Sequence, residues 1–175
     1  CIDGSLVDNS AVAPAIANWE MDGCGYKGGV MAGYLHQFDS FVVGGELDWG
    51  LTGQVAENNT PGADFAFRMN HLVTGRLRAG YAIDDTLLYA TGGWAWAQGD
   101  LYGINGAAAP DHIKKGHAGW SLGGGIEHAL TDQLRVRLEY IYTKFGGANY
   151  TEACCNVDIE DFDDHEVKVG AIWAF

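Results

Sequence analysis

The chain has 175 residues, with 10 Lys plus Arg against 23 Asp plus Glu and a formal net charge of −13. One domain is the expectation at this length, and so acidic a balance argues against a nucleic-acid partner. No apolar run reaches the ~18 residues a membrane-crossing helix needs; barrel strands need only about 9–11 residues each and stay open as a reading.

The 26 Gly, 6 Trp, 8 Tyr and 7 Phe beside only 3 Pro suit many twisted strands. There is no initiator Met and no leader-like segment, and an opening Cys1 fits either a cut end or a lipid-modified terminus. Residues 1–26, with Pro14 and scattered polar groups, read as a long loop, with an irregular strand conceivable only near Ala15–Met21.

From there, period-two alternation predicts strands over 27–38, 41–53, 65–82, 87–99, 117–130, 134–145 and 165–175. Short turns at Phe38–Ser40, Ile83–Thr86 and Leu130–Gln133 alternate with long loops over 54–64, 100–116 and 146–164. Short connections at one end and long ones at the other describe an all-β, antiparallel, up-and-down transmembrane β-barrel. Bacterial single-chain barrels have even strand numbers. Seven strands are clear, so an eighth is expected, either ahead of Cys1 or from the irregular stretch.

Each strand has two chemically different faces. In 41–53, Phe41, Val43, Leu47 and Trp49 oppose Glu46, Asp48 and Thr52. In 65–82, Phe65, Phe67, Met69, His71, Val73, Leu77, Ala79 and Tyr81 oppose Arg68, Asn70, Thr74, Arg76, Arg78 and Gly80. In 134–145, Leu134, Val136, Leu138, Tyr140 and Tyr142 oppose Arg135, Arg137, Glu139 and Thr143. An arginine facing lipid near the midplane costs about 2–4 kcal/mol. Arg68, Arg76, Arg78, Arg135 and Arg137 are therefore expected inside, with Lys168, against Glu46, Asp48, Glu127 and Glu139. A small barrel is just wide enough for side chains to fill it, so these groups should plug the lumen as an ion-pair network. Most of the negative charge then falls in the long loops, notably over Asp158–Glu166. The last strand alternates Val167, Val169, Ala171, Trp173 and Phe175 with Glu166, Lys168 and Gly170, as the closing strand of an outer-membrane barrel does.

Gly75-Arg-Leu-Arg-Ala-Gly-Tyr81 and Leu87-Leu-Tyr-Ala-Thr-Gly-Gly93 resemble two central strands of the opacity-protein-like family of small outer-membrane barrels. That family includes porin-like and haemin-binding outer-membrane proteins of alphaproteobacteria. Gly119-Trp-Ser-Leu-Gly-Gly-Gly-Ile-Glu127, Leu138-Glu-Tyr-Ile-Tyr-Thr143 and the terminal strand continue the resemblance in order, over about residues 26–175. It implies an eight-stranded barrel with periplasmic turns and extracellular loops in a Gram-negative outer membrane, and it supplies no catalytic motif. Two departures stand out: the family's first strand is missing, and the four cysteines are unusual.

Cys1, Cys24, Cys154 and Cys155 fall in the first and last long loops, which should be neighbours at the seam. Outside the cell disulfides are permitted, and the expected arrangement pairs Cys1 and Cys24 with Cys154 and Cys155. Bonds between subunits are the alternative. Gly119-Trp120-Ser121-Leu122-Gly123 has the spacing of a nucleophile elbow, but that motif needs a strand-to-helix turn and here lies in an alternating strand. The run Asp158–Glu166 lacks the spacing and glycine of a calcium loop and reads as a solvated face. His112, His117 and His165 lie in or beside outer loops; they are either isolated exposed histidines or ligands for haem or a metal. His36, His71 and His128 belong to the lipid-facing side.

The sequence reading is a non-enzymatic outer-membrane barrel with a structural or surface-interaction role and no cofactor or metal. Its partners would be outer-membrane lipid, with a second copy or neighbouring envelope proteins as further contacts. Uptake of haem or another small ligand, and a narrow passive pore, are the alternatives.

Overall fold

The computed structural model describes residues 1–8, 18–57, 65–103, 113–152 and 155–174. Every regular element is a strand: β1 (Ile2–Asp8), β2 (Asn18–Gly23), β3 (Lys27–Phe38), β4 (Phe41–Thr52), β5 (Val55–Glu57), β6 (Phe65–Ile83), β7 (Thr86–Gly103), β8 (Ile113–Ala129), β9 (Leu134–Phe145), β10 (Ala148–Glu152) and β11 (Cys155–Trp173). All pairings are antiparallel.

Seven long strands form the wall in the order β3-β4-β6-β7-β8-β9-β11. They are the seven that alternation marks, and β3 and β9 have the expected limits. At one end tight turns join them. Phe38 pairs with Phe41 and Ile83 with Thr86, leaving two-residue connections whose first residues, Asp39 and Asp84, have φ of 52° and 49°. A short polar side chain tolerates that left-handed conformation best after glycine, and such turns match the twist of the strands they join.

At the far end the strands run on beyond their expected limits. β6 and β11 have 19 residues each, where about 9–11 suffice to cross a bilayer. The region expected as a loop over 146–164 contains β10 and the first half of β11, paired as a hairpin. Residues 1–26, expected as a loop, contribute β1 and β2. β1 pairs with the upper part of β11, and β2 reaches β6 through β5. A ring therefore closes at the far end through β11, β1, β2, β5 and β6. Below it, among the described residues, no hydrogen-bonded register joins β3 to β11.

Burial follows the alternation. Below the far end, odd positions of β6 such as Leu77 and Tyr81 are exposed while Arg76 and Arg78 are buried. At Met69/His71 the β6–β7 register shifts by one residue. Such a bulge turns the strand over, and the two faces exchange. Phe67 and Met69 are buried inside, and Arg68 is exposed outside.

Candidate functional site

The lumen at mid-height is built from inward positions of five strands. Glu46 pairs in register with Arg76, Glu127 with Arg137, and Glu139 with Lys168, so opposite charges already face each other across neighbouring strands. The network then crosses the interior. Arg76 reaches Glu46 at 2.6 Å, Asp48 at 2.9 Å and Glu139 at 3.2 Å, the last from the opposite wall. Arg137 spans to Glu46 at 2.9 Å and touches Glu127 at 3.4 Å. Arg78 binds Glu127 at 2.6 Å and lies 3.4 Å over the Tyr89 ring. Lys168 bonds Asp48, and Arg135, nearer the turn end, holds the other oxygen of Glu127 at 3.3 Å. Thr74 donates to Asp48 at 3.3 Å.

Charges of both signs are thus matched at close range, which is what makes their burial tolerable: an uncompensated ion here would cost several kcal/mol. Gly125 sits opposite Tyr89, and a β-carbon there would lie 2.6 Å from the Tyr89 hydroxyl oxygen, so that ring needs the glycine.

The structure brings together nine of the ten residues assigned to the lumen: Arg76, Arg78, Arg135, Arg137, Lys168, Glu46, Asp48, Glu127 and Glu139. Arg68 is the correction. The bulge places it on the exposed face, in register with Asp100, which is in turn in register with Lys114.

A second charged group lies where β3 approaches β11. Lys27 bonds Asp164 and also Glu166 at 3.1 Å, and Gln54 donates to Asp164 at 3.0 Å. Asp164 and Glu166 are therefore inward groups, while Asp161, on the opposite face, lies 3.8 Å from Lys144. Lys27 carried a readable signal, since it shares the parity of inward Met31; the role of Gln54 had none.

Above the ionic layer the interior becomes apolar. Phe145 stacks on Phe162 with centroids 4.9 Å apart, and Phe67 meets Phe162 edge-on at 5.5 Å. His117 completes this layer, 1% exposed and 5.1 Å from Phe162, its Nδ1 3.2 Å from the Gly146 carbonyl. This corrects the expectation of an exposed loop histidine. His165 faces the other way, exposed on the outer wall with Nδ1 2.7 Å from the Tyr140 hydroxyl. The two histidines therefore do not converge, and His112 lies outside the described residues. Among the described residues, no three His, Cys, Asp or Glu side chains are grouped to hold a metal.

Cys1 and Cys24 form a disulfide with each other. The reason is register: β1 and β2 pair Ile2 with Gly23, so the cysteines one step further along face each other directly. The expected link to the last loop is replaced by one within the first segment. Cys154 lies outside the described residues, and of Cys155 the structure describes only the backbone.

The outer wall is apolar over a limited height. On β9 it runs Val136, Leu138, Tyr140, Tyr142 and then Lys144. On β11 His165 is followed by Val167, Val169, Ala171 and Trp173. Trp49, Trp94, Trp120 and Tyr142 cluster toward the far end of this band, with Trp120 and Tyr142 in edge contact at 5.5 Å. An apolar band edged by aromatic rings around a polar interior is the construction of a membrane barrel.

Residues 6–175 match the profile of the outer membrane protein beta-barrel domain. The 31 kDa outer-membrane immunogenic protein of Brucella melitensis biotype 1 is 30% identical over 177 residues, which cover 96% of this chain and 72% of that protein. The 25 kDa outer-membrane immunogenic protein of Brucella abortus biovar 1 is 33% identical over 86% of this chain and 66% of its own length. The 22 kDa outer membrane protein of Rhizobium leguminosarum bv. viciae is 30% identical over 83% of this chain and 64% of its own. The alternating wall and these relatives agree, and the chain belongs to the outer-membrane β-barrel proteins of Gram-negative alphaproteobacteria.

Proposed function

We propose that the protein is a non-enzymatic outer-membrane barrel with an occluded interior, acting as a structural element and as a mount for surface contacts made at its far end. The supporting observation is the Arg76 guanidinium, wholly buried and shared by Glu46, Asp48 and Glu139 from two opposite walls. An ion passing through would have to displace those pairs and then the Phe67, Phe145 and Phe162 layer above them. The surface role draws on the strands of 17–19 residues, which outrun the membrane on one side only. Haem uptake is the weaker reading, because His117 is enclosed in the aromatic layer while His165 points outward.

The test is single-channel recording after reconstitution of the natural protein into planar bilayers. The reading expects no stepwise conductance from folded, inserted protein. Reproducible unitary steps would replace it with a passive pore.

A further inference from the structure

At the far end the wall divides between β8 and β9. The last register pair joining them is Gly119 with Phe145, followed by one bond from the Gly146 N–H to the Ala118 carbonyl. Beyond it β9 and β10 keep a single register on β11, Phe145 opposite Phe162 and Ala148 opposite Ile159, and leave β8. Side chains hold the parting: the Gly146 carbonyl lies 3.2 Å from His117 Nδ1, and the Gly147 N–H donates to Asp161 at 3.1 Å. β8 over Ile113–His117 is therefore paired with β7 alone among the described residues. Because Ala118 bonds across to Gly146, alternation turns the N–H and C=O of Gly116 and Lys114 the same way, into the opening. Both residues are exposed.

The charges around this edge differ from those of the rest of the chain. Of the 10 basic residues, Lys27, Arg76, Arg78, Arg135, Arg137 and Lys168 are held by inward carboxylates. The others, Arg68, Lys114, Lys115 and Lys144, all stand on the β8 edge or beside it. Lys114 and Lys115 lie on it, on opposite faces. Lys144 is in register with Trp120 just below, and Arg68 is in register with Asp100, which pairs in turn with Lys114. Asp100 and Asp161 offset part of this charge and leave an excess of cations, in a chain whose net charge is −13.

An open strand edge is a template for another strand. Lysines on it penalise pairing with an apolar or like-charged strand and favour one that carries carboxylates. A lipid phosphate would answer the charges, but it only accepts hydrogen bonds. Gly116 and Lys114 present donors and acceptors in alternation, which a second backbone satisfies. We propose that this edge docks an extended acidic segment of another protein, added antiparallel to β8 with carboxylates opposite Lys114 and Lys115. The inference rests on the reading of the far end as a mount for surface contacts and names the chemistry of the partner.

The test is amide NMR of the full chain folded in non-ionic maltoside micelles, with a short synthetic peptide built on a Glu-Glu pair between valines as the probe. The expected result is saturable shifts of the Lys114 and Gly116 amides and nuclear Overhauser contacts from them to the peptide backbone. Lys114→Gln should weaken binding about fivefold. The fully N-methylated peptide keeps the charge and loses the donors; equal binding by it would reduce the contact to charge attraction and overturn the inference. So would the absence of saturable shifts, or contacts to these amides from phosphatidylglycerol headgroups in place of the peptide backbone. Contacts from the same chain or a second copy before peptide is added would also overturn it. A water-soluble gadolinium chelate tests the underlying reading separately. Far-end amides shielded from it would remove the mount itself, whereas relaxed amides without peptide contacts remove only the docked strand.

Discussion

Arg76 and Glu139 lie 3.2 Å apart with both side chains fully buried, one on β6 and the other on β9 across the lumen. They belong to the same group as Glu46 and Asp48, so removing the arginine leaves three carboxylates facing one another without their shared cation. Arg76→Met should lower unfolding stability by about 3–5 kcal/mol, the usual loss when one partner of a buried pair is removed. Arg68→Met, eight residues away on the same strand, should stay within about 0.5 kcal/mol, as exposed substitutions do. Urea titration of both variants in the same micelles reads the contrast; equal losses would put Arg68 back in the lumen.

The outer wall makes the reverse prediction. Leu138 is exposed at mid-band on β9. Leu138→Arg should destabilise the barrel by about 2–4 kcal/mol in bilayers. Lys144→Arg, at the edge of the band, should be close to neutral. Folding titrations into lipid vesicles compare them, and a neutral Leu138→Arg would mean that this wall does not meet lipid.

Above the bulge the apolar contacts are inside. Phe145 is wholly buried against Phe162, so Phe145→Ala should cost about 3–5 kcal/mol, as truncations of a packed aromatic do. His117→Phe keeps the layer filled and should retain a native unfolding midpoint to within about 1.5 kcal/mol. A large loss on His117→Phe would show that its bond to the Gly146 carbonyl, and not its packing, matters.

The Cys1–Cys24 bond closes a segment with a sequence separation of 23. Chain-entropy arguments give about 3 kcal/mol for a loop of that order. Since β1 and β2 sit at the far end, Cys24→Ser should lower amide protection of Ile2–Leu6 by roughly two orders of magnitude and leave Arg76 and Glu139 protection unchanged. Hydrogen exchange read residue by residue distinguishes this from a global loss.

The wall was legible because its alternation is simple: residues 134–139 carry aliphatics and charge in strict turn, and the pairs Glu46–Arg76 and Lys168–Glu139 follow from parity plus strand order. Arg68 was misplaced because parity continues unbroken through Asn70. The apolar odd series Phe67, Met69, His71, Val73 looks continuous, while the extra residue of the bulge carries its first half to the other face. Only pairing with β7 reveals that. β1 and β2 were hidden for a different reason: Asp3, Gly4, Asp8, Asn18 and Glu20 do not form a two-sided pattern, and their strand character comes from the edge of β11. The disulfide followed from that hidden register.

The exchange of faces at Asn70 also determines how deep the protein sits. Below it the exterior is aliphatic and aromatic; above it the exterior carries Arg68, Lys114, Lys144 and Asp161, and at the opposite rim Asp39, Asp84, Asp85 and Asp132 are exposed. Each residue of vertical travel is about 3.3 Å of strand. A shift of two residues either way would submerge one rim of charges and lift the opposite side of the apolar band into water. The barrel is therefore held at a single height, like a float trimmed at both ends, and whatever its far-end strands present is offered at a constant distance from the lipid surface.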